Sequence, residues 1–211
     1  MSKPNEKTFI SSMAELNLVD EEVTKLAMAI MKSDGGNMYT LDFLIFAALN
    51  RSKLNIHGFI TLIELNNYFA AIPFVRMQLD SLLRLFATTL VNDRSELAKR
   101  ILNGESIRKI KDRDGFKMTD AYLVGKYSAL APWIVPVYDS GSGFIHLSEK
   151  HIFGMFGNQK QENQVEIIIG PTQSHIPEEF RVQAVNAITH ITGLVIEFCR
   201  DWLDERNRHS S

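Results

Sequence analysis

Cysteine is nearly absent from this 211-residue chain, where Cys199 stands alone. An internal disulfide is excluded, and zinc or iron–sulfur centres built on thiolate clusters are excluded with it. A dominant charge is missing too: the formal net charge is -2 and the sequence pI about 6.3. No global basic field of the kind that marks dedicated nucleic-acid binders exists, so any nucleic-acid contact must come from a local patch. No run reaches the roughly 18 consecutive apolar residues of a membrane span, because Arg76, Asp80 and Arg84 interrupt the longest candidate. Residues 1–7 are polar and lack the charged-then-apolar-then-small order of a secretory signal. A soluble, cytosolic protein is the resulting expectation. Internal repeats and low-complexity segments are also lacking.

What is present suits one globular domain, since 45% of the residues are hydrophobic and 23% charged. Helical signals dominate. Asp20-Glu21-Glu22 has the form of an N-cap with an acidic first turn, and Asp34-Gly35-Gly36-Asn37 closes that helix. Thr40 opens a second helix through Leu49 and on towards Ile63, with a weak point at 55–58. Asn66-Asn67 marks the turn into a central helix that carries Pro73 one turn inside it. Short helices follow up to Asn103, from Thr119-Asp120 and from Ala131-Pro132, and a long one runs from Pro177 to about Glu205. Two apolar runs, 151–156 and 164–169, are separated by a polar connector and predict a small β-hairpin. The expected fold is therefore mainly α: a multi-helix bundle with a long C-terminal helix and a small β-hairpin insertion. Residues 1–19 are expected as a flexible leader, 20–207 as a single bundle domain with the insertion at about 151–170, and 208–211 as a tail.

The unusual stretch is 67–90, where an apolar helix carries Arg76, Asp80 and Arg84 at four-residue spacings. Ionised groups on a mostly buried helix are costly unless paired. At about 100° per residue, Arg76 lies deepest in the apolar arc and Asp80 and Arg84 drift outward by about 40° each. Asp80 can pair with both arginines, yet each guanidinium has five donors, so further acceptors are expected. Asp139, Ser142 and His146 share one face if the helix from Pro132 continues, with Gly141 and Gly143 allowing a close helix approach. These three are the expected complement of Arg76, Asp80 and Arg84, as structural bracing or as a site.

A Ser, His and Asp set invites comparison with nucleophilic catalysis, but no strand-to-helix nucleophile elbow surrounds it. His146, Glu149 and His151 lack a spacing that converges on a metal, so neither a metal nor a cofactor is expected. Between residues 99 and 117 seven basic residues face three acidic ones. Arg108, Lys109, Lys111 and Arg113 form either a solvated surface loop or a phosphate-contacting lip. Only Phe116 interleaves with them, which does not support a base-stacking platform.

Several motifs together carry a resemblance: Leu49-Asn50-Arg51, Ala70-Ala71-x-Pro73-x-x-Arg76-x-Gln78-Leu79-Asp80-x-Leu82-Leu83-Arg84, Ile107-Arg108-Lys109, Met118-Thr119-Asp120 and Ser142-Gly143-Phe144-Ile145-His146-Leu147-Ser148. Across most of its length the chain resembles a family of bacterial helical proteins of uncharacterised function. More distantly it resembles HEPN-type bundles and abortive-infection-like proteins. That wider group is often dimeric, and several members are ribonucleases of toxin or antiviral systems. The resemblance implies a homodimer, an RNA or protein partner and a defence or stress role, and the lack of a long apolar run adds the expectation of no membrane association. HEPN ribonucleases use an arginine, four to six residues and then a histidine. Arg51-Ser-Lys-Leu-Asn-Ile-His57 meets that spacing. On a regular helix six residues leave two side chains about 120° apart, so the match needs a break near 55–58. The ribonuclease reading assigns Arg51 to charge stabilisation and His57 or His146 to acid–base work.

Overall fold

The computed structural model describes residues 8–157, 164–171, 173 and 175–209. Eight α-helices occur among them: α1 Phe9–Lys32, α2 Thr40–Glu64, α3 Tyr68–Ala87, α4 Arg94–Leu102, α5 Asp120–Ser128, α6 Ile134–Ile145, α7 Glu149–Gly154 and α8 Glu178–His209. α3 is the hub: it packs against α2, α5, α6 and α8, while α1 lies along α8 and α2.

The bundle forms because its long helices bury continuous apolar stripes. α1 contributes Leu16, Val23, Leu26 and Ile30, and α8 contributes Ile188, Ile191, Val195, Ile196 and Cys199, all 5% exposed or less. Each such side chain stabilises the fold by roughly 1.5–3 kcal/mol relative to an exposed position. Within the described residues, Glu178–Arg208 is the one helix long and apolar enough by composition to cross a membrane. Here its apolar arc is occupied as a core stripe against α1 and α3.

Three sequence expectations need correction. The first helix does not start at Asp20. It starts at Phe9, capped by Thr8, whose hydroxyl accepts from the Ser11 N–H. Met13 and Leu16 are buried, and Asp20 lies mid-helix, paired with Lys53 of α2. Residues 8–19 are thus structure, not leader; 1–7, like 210–211 of the expected tail, lie outside the described residues. The apolar stripe at 13, 16, 23, 26 and 30 overrides the local N-cap signal of Asp20.

Second, α2 has no break at 55–58. Asn55 is buried and donates through Nδ2 to Gln78 Oε1 at 3.0 Å. At Gly58 a Cβ would lie 2.6 Å from the ring of Phe74 on α3. The glycine therefore serves helix approach rather than helix termination.

Third, neither strand of the expected β-hairpin occurs among the described residues. Residues 149–154 are α7, started by the Ser148 hydroxyl that accepts from the Lys150 N–H at 3.3 Å. No strand occurs among the described residues, where isolated antiparallel bridges join Lys111 to Lys117 and Phe156 to Ile167. The expected connector at 158–163 lies outside the described residues. A four- to six-residue apolar run does not by itself distinguish strand from helix, and the Ser148 cap together with docking on α3 selects helix. That docking is close, since a Cβ on Gly154 would overlap the Phe69 ring at 1.7 Å.

Pro73 is accommodated inside α3. The helix is entered through Asn66, at φ 56°, a left-handed conformation that asparagine tolerates. Its first turn is closed by Gln173, whose Oε1 accepts from the Phe69 N–H at 2.9 Å and whose N–H donates to the Asn66 carbonyl at 2.8 Å.

Candidate functional site: a charged seam around the central helix

Along α3 the side-chain exposure of Arg76, Asp80 and Arg84 rises in that order, at 9%, 18% and 26%. The gradient follows from the 40° drift per step of four residues. Asp80 is shared between two guanidinium groups: Arg84 reaches its Oδ1 at 2.9 Å, and Arg51, from α2, its Oδ2 at 2.8 Å. Arg84 also donates to Asp120 Oδ1 at 2.6 Å. Asp120, the first residue of α5, lies 3.9 Å from Arg76 through its other oxygen. The seam thus runs Arg51, Asp80, Arg84, Asp120, Arg76 and ties α2, α3 and α5 together. Three arginines face two aspartates, which leaves one positive charge in excess.

Arg76 meets α6 differently from the expected pairing. Its guanidinium lies 4.1 Å from the centroid of the Tyr138 ring, a cation–π contact. A Cβ on Gly141 would fall 2.8 Å from Arg76 Cβ, so the glycine lets α6 press onto the arginine stem. Arg76 Nε and Arg84 Nη1 are buried and have no acceptor among the described residues.

The expected complement of Asp139, Ser142 and His146 is not brought to the seam. Asp139 and His146 are exposed. The Ser142 hydroxyl donates to the Tyr138 carbonyl at 2.8 Å, one turn back on its own helix, and His146 is the extended residue that ends α6. α6 does pack on α3, but with its Tyr138 and Gly141 side inward. The acceptor role falls instead to Asp120, which the sequence showed as a helix start and within the Met118-Thr119-Asp120 motif. Gly143 faces Lys150, whose Cε would lie 2.8 Å from an added Cβ.

Arg51 and His57 are likewise not brought together. α2 is unbroken between them, six residues separate their side chains by about 120°, Arg51 is held by Asp80, and His57 is exposed. Of the cationic lip, Arg108, Lys109, Lys111 and Arg113 are exposed. Arg113 is engaged: its Nε donates to the Leu90 carbonyl at 3.1 Å and its Nη2 to the Thr89 carbonyl, at the end of α3. The loop is organised by Asp112, which accepts from the N–H groups of Asp114 and Phe116 and from the Tyr122 hydroxyl. Burial pushes the Asp112 carboxyl up, but these hydrogen bonds outweigh it and hold the group below the ordinary aspartate value.

Two further polar clusters escaped the sequence reading. Gln78, fully buried, links Asn55 and Ser52 of α2, donating to Ser52 Oγ at 2.8 Å. Asp42 and Arg206 form an ion pair at 2.9 Å with side chains 0% and 1% exposed. Trp202 Nε1 donates to Asp42 Oδ1 at 2.7 Å and the Tyr39 N–H to Oδ2 at 2.7 Å, while Arg206 donates to the Asn37 carbonyl at 2.6 Å. For the second cluster, a charged residue one turn after Trp202 on α8, Arg206, was the signal the sequence offered.

A cleft of about 330 Å³ lies between α3, α6 and α8, walled by Ile72, Val137, Phe144 and Ala184, with Tyr68 at its edge. Burial pushes the Tyr68 hydroxyl up to about 12, so it is a hydrogen-bond donor there at neutral pH. Among the described residues no three His, Cys, Asp or Glu side chains are grouped to hold a metal. Chemically, the seam offers guanidinium donors and carboxylates already committed to one another, which is an arrangement for holding helices in register. Comparison of the chain with protein-family models, curated proteins and solved structures gives no match.

Proposed function

We propose that this protein acts through self-association or a partner, using an exposed apolar surface around α7, in the bacterial defence or stress setting that its resemblance suggests. The observation that carries this reading is where apolar side chains remain exposed: Leu147 at 90%, Phe153 at 69%, Val165 at 64% and Ile169 at 92% cluster within 147–169. Apolar surface gathered in one region marks interaction sites more often than scattered single residues do. The charged seam supports the same reading from the other side, because Asp80 and Asp120 are each engaged by arginine.

The decisive experiment incubates purified protein with total RNA without added metal, comparing wild type with His57→Ala and His146→Ala, alongside light scattering of the wild type. RNA left intact and a mass above the 24.0 kDa of one chain are the expected results. Cleavage abolished by either histidine change would overturn the reading in favour of a metal-independent HEPN-type ribonuclease.

A further inference from the structure

The segment after α7 carries one rung of sheet-like pairing. Phe156 and Ile167 face one another in a single antiparallel bridge. It is held by the Gly157 N–H donating to the Glu166 carbonyl at 2.9 Å and the Ile168 N–H donating to the Met155 carbonyl at 2.7 Å. Backbone polar groups alternate sides along an extended chain. With residues 166 and 168 turned towards 155–157, the N–H and carbonyl groups of Val165, Ile167 and Ile169 turn outward, and they make no hydrogen bond with a described residue. The side chains of the same three residues share the face of Phe156, since bridge partners project to one side. They are 64%, 55% and 92% exposed. Gly170-Pro171 follows directly, and Pro171 has no N–H to continue the edge.

An extended apolar segment whose outward backbone groups are unpaired among the described residues is a template for another strand, and this edge is complementary to itself. A two-fold axis at Ile167 sets Ile167 opposite its own copy and Val165 opposite Ile169. Every outward N–H and carbonyl of both segments then finds a partner at once. Glu166 falls opposite Ile168 rather than opposite its own copy, so like charges do not meet. Ile152 and Phe153, 50% and 69% exposed, add apolar surface just before the bridge.

We infer that segment 165–169 is a homodimerisation edge, pairing antiparallel with the same segment of a second copy about a two-fold axis at Ile167. The inference rests on the association reading above and names its partner. The test is disulfide trapping of the full chain. Opposed residues of such a pair lie about 5.5 Å apart between Cα atoms, within disulfide reach. Native Cys199 is fully buried, with its thiol pushed up to about 12, and does not compete.

Under mild oxidation Ile167→Cys is expected to form a covalent dimer at least tenfold faster than Ile168→Cys, on the opposite face, or Leu54→Cys, at an exposed position of α2. Mixing Val165→Cys with Ile169→Cys should give a mixed dimer, which keeps the test independent of any one variant's folding. Equal trapping of all positions overturns the edge, because it reports collision alone. A wild type that is dimeric by light scattering, with Ile167→Cys untrapped, also overturns the edge but leaves the association reading intact. A wild type that stays monomeric into the high-micromolar range removes the second copy as partner altogether.

Discussion

The buried pair Asp42–Arg206 offers the sharpest test of how this bundle is closed. Both side chains are withdrawn from water, and the carboxylate accepts from the Trp202 indole and the Tyr39 backbone as well as from the guanidinium. Asp42→Ala would strand the Arg206 charge in the interior, and breaking a buried pair in this way costs about 3–5 kcal/mol. For a chain of this length each kcal/mol is worth about 2–4 °C, so the melting temperature should fall by about 6–20 °C. Urea unfolding followed by circular dichroism measures the loss directly, with a lowered midpoint and an unchanged slope. The double variant Asp42→Ala with Arg206→Met removes both charges, and its cost should fall short of the two single costs added, by about 0.5–3 kcal/mol. A single-variant loss under about 1 kcal/mol, or strict additivity, would refute the argument that a desolvated charge pair ties α8 to α2.

Three further outcomes follow from the geometry. Asp80→Ala removes the carboxylate shared by Arg51 and Arg84 and should destabilise the fold by about 1–3 kcal/mol, whereas exposed Asp139→Ala should change stability by under about 0.5 kcal/mol; equal effects in denaturant titrations would contradict the seam. Gly141→Val places side-chain atoms against Arg76 Cβ, at the point where an added Cβ already lies 2.8 Å away, and should cost about 1–3 kcal/mol by overpacking; a neutral result by calorimetry would show that α6 can shift freely. Asp112 has a folded-state pKa below its unfolded value, so its contribution is present above about pH 4 and is lost as pH falls through the lower, folded value. Asp112→Asn should therefore be less stable than wild type near neutrality, with the two melting curves converging in acid; a difference that persists unchanged there would refute the assignment.

The central charged stripe was legible in the sequence, including the depth order of Arg76, Asp80 and Arg84, because four-residue steps on a helix have a known angular drift. Its partners were not. Asp120 reads locally as a first-turn acid and Arg51 as the arginine of a spacing shared with His57, and only the packing of α5 and α2 onto α3 delivers both to the stripe. Asp139 and Ser142 share α6 with Tyr138 and Gly141, and the rotation of that helix decides which of these faces α3, while His146 falls just past its end. The Cβ-less surface of Gly141 wins the contact, and an arginine stem fills the room it leaves. The hairpin expectation failed for a related reason: a short apolar run carries no periodicity of its own, so the Ser148 cap and the fit of Gly154 on Phe69 settled 149–154 as helix.

The sequence by itself determined the mainly helical character, the long C-terminal helix and the presence of a charged stripe in an apolar helix, since these depend on spacing within one segment. The tertiary structure decided which charges meet, that α1 begins at Phe9, and that Asp42 and Arg206, 164 positions apart in the chain, share one buried site. Pairing of that kind depends on the relative rotation and approach of helices, which small residues at contact points and the desolvation of facing groups control, and no local pattern records it.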